Sequence, residues 1–168
     1  MAVFNYQYNS LSDLMVQQLK DLYDCEQQLT EALPKLAQAA NSPALKRAFQ
    51  DHFNQTQTHV NRLEQVFRGL DCEPEAETCP AIKGIIKEGN DIASAKGDPA
   101  VRDAGLIAAA QRAEHYEIAG YGTVRTFAQH LGRNDLAQIL QMTLDEEGEA
   151  DKKLTTLAES GINQMAQA

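Results

Sequence analysis

Four stretches of about thirty residues repeat apolar side chains at alternating steps of three and four, and no stretch shows the polar-apolar alternation of a strand. That spacing lines the apolar groups along one face of a helix. In the first stretch the stripe is Leu11, Met15, Leu19, Leu22, Leu29, Leu33 and Leu36, and in the second it is Leu45, Phe49, Leu63, Val66 and Leu70. Helices are predicted over about 11–40, 43–69, 99–131 and 134–163, with a shorter amphipathic helix over 82–95. Ser10 or Ser12 suits the first N-cap, and Ser42-Pro43 and Asp98-Pro99 pair a capping residue with proline at the first helical position. Gly69 and Gly132 suit helix ends. Pro34 is expected to kink or end the first helix.

Helices of that length are on the order of 40–48 Å long. The connections at Asn41-Ser42-Pro43 and at Gly132 are too short for anything but antiparallel hairpins. The middle connection is long, opens with the acidic, proline-containing string DCEPEAETCP and carries the short helix. A chain of 168 residues suits one domain, spanning residues 1–168. Hairpin, crossover, hairpin is the plan of ferritin-like four-helix bundles. The expected fold is therefore all-α, a ferritin-like antiparallel bundle of two helical hairpins.

Extending each stripe places polar residues where the core requires apolar ones. Glu26 falls between Leu22 and Leu29. The series 45, 49, 52, 56, 59, 63, 66 turns His52, Thr56 and His59 inward, with Gln55 beside them. The series 107, 110, 114, 117, 121, 124 turns in Glu114 and Glu117, and 136, 140, 143, 147, 150, 154 turns in Glu147, with Asp151 at its edge. Buried carboxylates must be paired, protonated or metal-bound. No Lys or Arg lies on the other three stripes near these depths, and Arg112 and Arg125 lie off their own. Two cations answer that excess, and carboxylate with imidazole suits iron, manganese or zinc. Taken singly, Glu26 is also readable as a side chain snorkelling to solvent, His52 as a hydrogen-bonded core histidine, and Glu146 and Glu149 as an exposed charged face. The coincidence of such residues across four helices at matching depth favours the metal reading. Tyr23 and Tyr121 are expected beside the site, either hydrogen-bonding a ligand or as core aromatics with a polar handle.

The net charge of −9, with basic residues scattered apart from Lys46-Arg47 and Lys152-Lys153, argues against a nucleic-acid partner. No run of 18 apolar residues exists, and the opening MAVFNYQYNS lacks the basic start and apolar run of a secretory signal. A cytoplasmic protein without a membrane partner is expected. Cys25, Cys72 and Cys79 share no metal-finger spacing and read as free thiols, with Cys72 and Cys79 able to pair on oxidation.

The segments LYDCEQQLTEALPKLA, HFNQTQTHVNRLEQVF, DAGLIAAAQRAEHYEIAGYGT and LDEEGEADKKLTTLA resemble the YciF/YciE family of bacterial stress proteins, the DUF892 group of ferritin-like domains, over about residues 12–158. More distantly they resemble rubrerythrins and other di-iron carboxylate bundles. The resemblance implies a metal set of Glu26, His59, Glu114, Glu117 and Glu147, with Asp151 as an extra ligand, around two metal ions, iron before manganese or zinc. It implies a stress-response protein that oxidises Fe²⁺ or reduces peroxide or oxygen, a ferroxidase- or peroxidase-type oxidoreductase. Two departures stand out: relatives carry acids in HLEET where this chain reads His52-Phe53-Asn54-Gln55-Thr56, and Ala150 stands where Glu-x-x-His would place histidine. They keep open a non-catalytic structural or interaction protein with a degenerate site. A manganese, catalase-like protein is the third alternative. The expected partners are small oxidants and a second copy, as a homodimer.

Overall fold

The computed structural model describes residues 7–167. Residues 1–6, which open the segment read as lacking a secretory signal, lie outside the described residues, as does residue 168. The helices are α1 (Leu11–Ala39), α2 (Pro43–Gly69), α3 (Pro80–Ala93), α4 (Pro99–His130) and α5 (Asn134–Leu157). A π-helical turn (Ala158–Ile162) and a short α6 (Asn163–Met165) follow, and no strand occurs among the described residues.

The caps act where the sequence puts them. Ser10 Oγ accepts from the Asp13 amide at 3.0 Å, and Asp98 accepts from the amides of Ala100 and Val101 at 2.7 and 3.1 Å. Gly132 closes α4 with φ +75, a conformation glycine adopts without steric cost. Two helix boundaries need correction. The short helix begins at Pro80 instead of Ile82 and ends at Ala93, because Cys79 caps it: its Sγ faces the Ile82 amide at 3.5 Å. A thiol is not a standard cap signal. The last helix stops at Leu157 and changes to π geometry, with a non-helical residue at Gly161. Pro34 does not end α1, which continues to Ala39. An interior proline costs about 3 kcal/mol, but Leu33 and Leu36 beside it are buried at about 1.5–3 kcal/mol each, while Pro34 itself is exposed.

Helix α1 packs on α2 and α4, and α5 on α4 and α2, closing a four-helix ring. Opposed contacts show that facing helices run antiparallel. Asp51 meets Lys153 while His59 meets Glu146, and Gly120 meets Leu22 while Asp103 meets Asn41. Helix α3 lies against α1 and α4 as part of the crossover, so the bundle has the ferritin-like arrangement of two hairpins joined by a long connection. Arg133 ties the hairpins at one end by donating to the Gly69 carbonyl at 2.6 Å.

The apolar core is divided. One cluster gathers Leu29, Leu33, Leu45, Phe49, Leu106 and Leu154, and a second gathers Met15, Leu22, Leu63, Phe67, Tyr121 and Leu140. Between them on every helix of the ring lies a buried polar residue, and this layer is the candidate site.

Candidate metal centre

The stripes predicted to turn inward do so. Glu26 of α1, His52 and His59 of α2, Glu114 and Glu117 of α4 and Glu147 of α5 are all at most 7% exposed. Each follows from helical spacing: Glu26 sits four residues after Leu22 and three before Leu29, and Glu147 is seven before Leu154. His52 and His59 are seven residues apart, two turns of one face.

These six fall into two groups that share a member. His52, Glu114, Glu117 and Glu147 form one, and Glu26, His59 and Glu147 the other, with the potential ligand atoms of each group within 4.8 Å of one another. Glu147 is therefore shared by the two groups. Its Oε1 is 2.9 Å from His59 Nδ1 and its Oε2 is 3.7 Å from His52 Nε2. His52 Nε2 lies 3.2 Å from Glu114 Oε1.

Proximity here does not mean hydrogen bonding. Both oxygens of Glu117 and of Glu147, Glu26 Oε2, Glu114 Oε2, and Nδ1 of both histidines are buried without a hydrogen-bond partner. His59 Nδ1 and Glu147 Oε1 approach to 2.9 Å as an ion pair without the alignment of a regular hydrogen bond. An unsatisfied buried polar group costs about 1–3 kcal/mol, more when charged, so this many in one layer needs a further partner. Four carboxylates balance the charge of two divalent cations, and the two imidazoles then serve as neutral ligands. The donor set fits two such ions.

The electrostatics of the bare protein carry the same strain. Burial pushes the carboxyls of Glu26, Glu117 and Glu147 above the ordinary range, Glu117 farthest, with Glu147 and Glu26 adding to its shift. Burial opposes charge on His52, but the Glu114 and Glu147 carboxylates prevail and raise it to about 9. The same opposition at His59, where Glu147 and Glu26 prevail, raises it to about 10. Without metal, the layer holds protons in place of cations.

A second ring of contacts positions the first. His59 Nε2 lies 2.8 Å from Glu146 Oε2, and Arg62 grips both oxygens of Glu146 at 2.7 and 2.9 Å. Tyr121, 1% exposed, donates its phenolic proton to Glu26. Tyr23 does not join the site: its hydroxyl donates to Glu64 at 3.1 Å, on the side facing Phe67.

The sequence expectations are met unevenly. Glu26, His59, Glu114, Glu117 and Glu147 are brought together. Asp151 is not among them; it is half-buried on the α4 side, accepting from Gln111 Nε2 at 2.9 Å with His115 Nε2 at 3.4 Å. Position 151 shares a helix face with 147, but its carboxylate is turned to α4, where Gln111 Nε2 holds it outside the layer. His52, read as a core histidine, stands inside the first group, and Glu146, read as exposed face, supports His59. His52 was findable from its place on the stripe, whereas Glu146 and Arg62 needed the register between α2 and α5. Gln55 and Ala150 join neither group; both line a cavity of about 360 Å³ that reaches His52 and Glu114 from between α2 and α5. The three cysteines are unpaired, Cys25 and Cys79 buried, and Cys79 Sγ contacts Tyr116 Oη at 3.1 Å.

No helix among the described residues is long and apolar enough to cross a membrane. The sequence profile of a family described as a domain of unknown function, DUF892, matches residues 10–167. Protein YciF of Escherichia coli K12 is 41% identical over 159 residues, covering 94% of this chain and 96% of its own. The crystal structure of the E. coli stress protein YciF superposes with a TM-score of 0.89, covering 93% of this chain and 99% of that one. YcfI of Rhodopseudomonas palustris, to which a structural role has been ascribed, superposes at 0.88 with 41% identity, covering 91% and 98%. A Xanthomonas campestris protein, 21% identical with a TM-score of 0.74 over 95% of this chain and 100% of its own, shares the fold.

Proposed function

The chain belongs to the DUF892 family, and on that premise we propose that it is a two-metal stress protein that oxidises ferrous iron with peroxide or oxygen inside its bundle. The observation that carries the reading is the shared Glu147: two groups of buried ligands meet at one carboxylate whose oxygens have no hydrogen-bond partner. Glu26 and His59 would hold one ion, His52, Glu114 and Glu117 the other, with Glu147 between them. Two ferrous ions held by these residues would supply two electrons to one oxidant and stabilise the charge developing on its oxygens.

The protein's own groups set the conditions for that chemistry. The apolar clusters close the layer on two sides, and the low dielectric there strengthens electrostatic interactions inside. Glu146, held by Arg62, takes the Nε2 proton of His59 as a hydrogen bond and so leaves Nδ1 free to ligate. Tyr121 anchors Glu26. The balance is simple. Hydrogen peroxide accepts one electron from each of two ferrous ions and two protons, its O–O bond breaks, and two waters leave.

A structural role is the second reading, favoured by Gln55 and Ala150, where the resemblance placed a carboxylate and a histidine. Metal stoichiometry separates the two. Elemental analysis of protein purified without chelator should give about two metals per chain, lost in the Glu114→Ala/Glu147→Ala double variant. Iron- and manganese-loaded protein, assayed with peroxide, then distinguishes iron oxidation from a catalase-like activity. No metal in either protein, with an equally stable bundle, leaves the structural role as the account.

A further inference from the structure

The cavity between α2 and α5 is graded from outside to inside. Its mouth is crossed by an ion pair, Lys153 to Asp51 at 3.0 Å. Gln55 and Ala150, half-buried, line its middle. Its inner wall is Phe49 and Leu154, 2% and 4% exposed, and it ends on His52 and Glu114. Its volume of about 360 Å³ lies in the range of small-molecule sites, roughly 300–1,000 Å³.

Hydrogen peroxide does not need such a space, since a water takes only about 30 Å³ and peroxide is little larger. A ferrous ion has no use for the apolar inner wall. An anion would meet Glu114 and Glu149, while His52 is already paired with Glu114 at 3.2 Å and Lys153 with Asp51 at 3.0 Å, so no cation in the lining is left for it. What matches the gradient is a neutral molecule with a hydrocarbon body and a small polar head that reaches the ligand layer. Position 150 adds only a methyl group to the lining, and the Gln55 side chain joins neither ligand group.

We propose that this cavity binds organic hydroperoxides, with the alkyl or aryl body against Phe49, Ala150 and Leu154 and the peroxy group at His52 and Glu114. The inference rests on the two-metal reading above and names its substrate class. The O–O bond of ROOH breaks on taking one electron from each of two ferrous ions and two protons, leaving ROH and water. Ala150 thereby becomes a specificity-determining position: a missing ligand side chain opens the substrate site.

The test begins on the metal-free protein with 2-phenyl-2-propanol, the alcohol that cumene hydroperoxide leaves behind. Methyl NMR should show saturable shifts at Ala150 and Leu154, and Ala150→Phe should abolish them. Ala150→Leu, a smaller filler, should weaken binding at least threefold and serves if the phenylalanine variant does not fold. With iron loaded, the ratio of kcat/KM for cumene hydroperoxide to that for hydrogen peroxide should fall at least tenfold in Ala150→Phe. Metal bound but no saturable shift, or both peroxides slowed alike, overturns the inference and leaves the two-metal reading standing. Alcohol bound by a protein that takes up no metal overturns the two-metal reading, and the hydroperoxide role with it.

Discussion

The Nε2 of His59 lies 2.8 Å from Oε2 of Glu146, and this contact decides which ring nitrogen faces the inward carboxylates. A histidine that donates from Nε2 presents a bare Nδ1, here 2.9 Å from Glu147 and 3.5 Å from Glu26. Arg62 fixes the acceptor in turn, and holds the Glu146 carboxyl below its ordinary range.

Glu146→Ala should therefore weaken metal binding without unfolding the bundle, since Glu146 is half-buried at the edge of the layer. Loss of such a supporting carboxylate costs about 10- to 100-fold in affinity. Competition with a chelating dye should show that loss at one of the two positions, with the far-UV spectrum unchanged. Equal affinity for both ions in the variant and the parent would remove Glu146 from the design.

The metal-free protein should lose stability as pH rises above neutrality. His52 and His59 are raised from 6.5 to about 9 and about 10, so between those values the folded chain holds protons that the unfolded chain has released. Folded-state excess protonation makes the slope of unfolding free energy with pH negative. The contribution is complete below about pH 6.5 and lost through pH 9–10. Glu117, raised by burial, acts in the same direction. Urea denaturation of chelator-treated protein should show stability falling between pH 7 and 10, which metal loading reduces. A flat profile in the metal-free protein would refute the protonated layer.

The fold was legible because its signals are local. Caps at Ser10, Ser42 and Asp98, and the three-four spacing between them, specify helices and their inward faces without reference to any partner. The burial of five polar residues followed from the same periodicity, since Glu26, His59, Glu114, Glu117 and Glu147 sit on seams whose neighbours are apolar. What stayed hidden depends on rotation and register. Asp151 lies within about 40° of Glu147 around the helix, and only the packing of α4 shows that Gln111 holds its carboxylate outside the layer. Glu146 and Arg62 meet only because α2 and α5 run antiparallel at one particular offset. The Cys79 cap escaped because a thiol carries no turn signal of its own.

Asp103 predicts a stability effect away from the site. It is 2% exposed on α4, and its two oxygens accept from the amides of Asn41 and Ser42 at 2.8 and 2.7 Å, clamping the α1–α2 turn. Hydrogen bonds to a charged group contribute about 1.5–3 kcal/mol. Asp103→Ala strands both amides and should cost about 2–4 kcal/mol by urea denaturation, with metal content unchanged. Asp103→Asn keeps one acceptor and should fall between. A loss under 0.5 kcal/mol in the alanine variant would show that water replaces the clamp.

Glu117 offers the sharpest separation of a functional site from a structural one. It is 1% exposed, and neither of its oxygens has a hydrogen-bond partner. In a bundle whose task is only to be stable, that carboxyl is a defect, and an apolar side chain of similar size removes the burial cost. Replacing buried ionic groups with packed hydrophobic ones is often stabilising by about 1–4 kcal/mol. Glu117→Leu should accordingly raise the melting temperature of the metal-free protein. The same change deletes a ligand from the group that holds His52, Glu114 and Glu147, so added metal should raise the melting temperature less than it does in the parent. Calorimetry on both proteins, with and without metal, reads the two effects together. A metal-free variant less stable than its parent would mean that Glu117 holds the bundle together by itself, and would point away from a site kept unsatisfied for a cation.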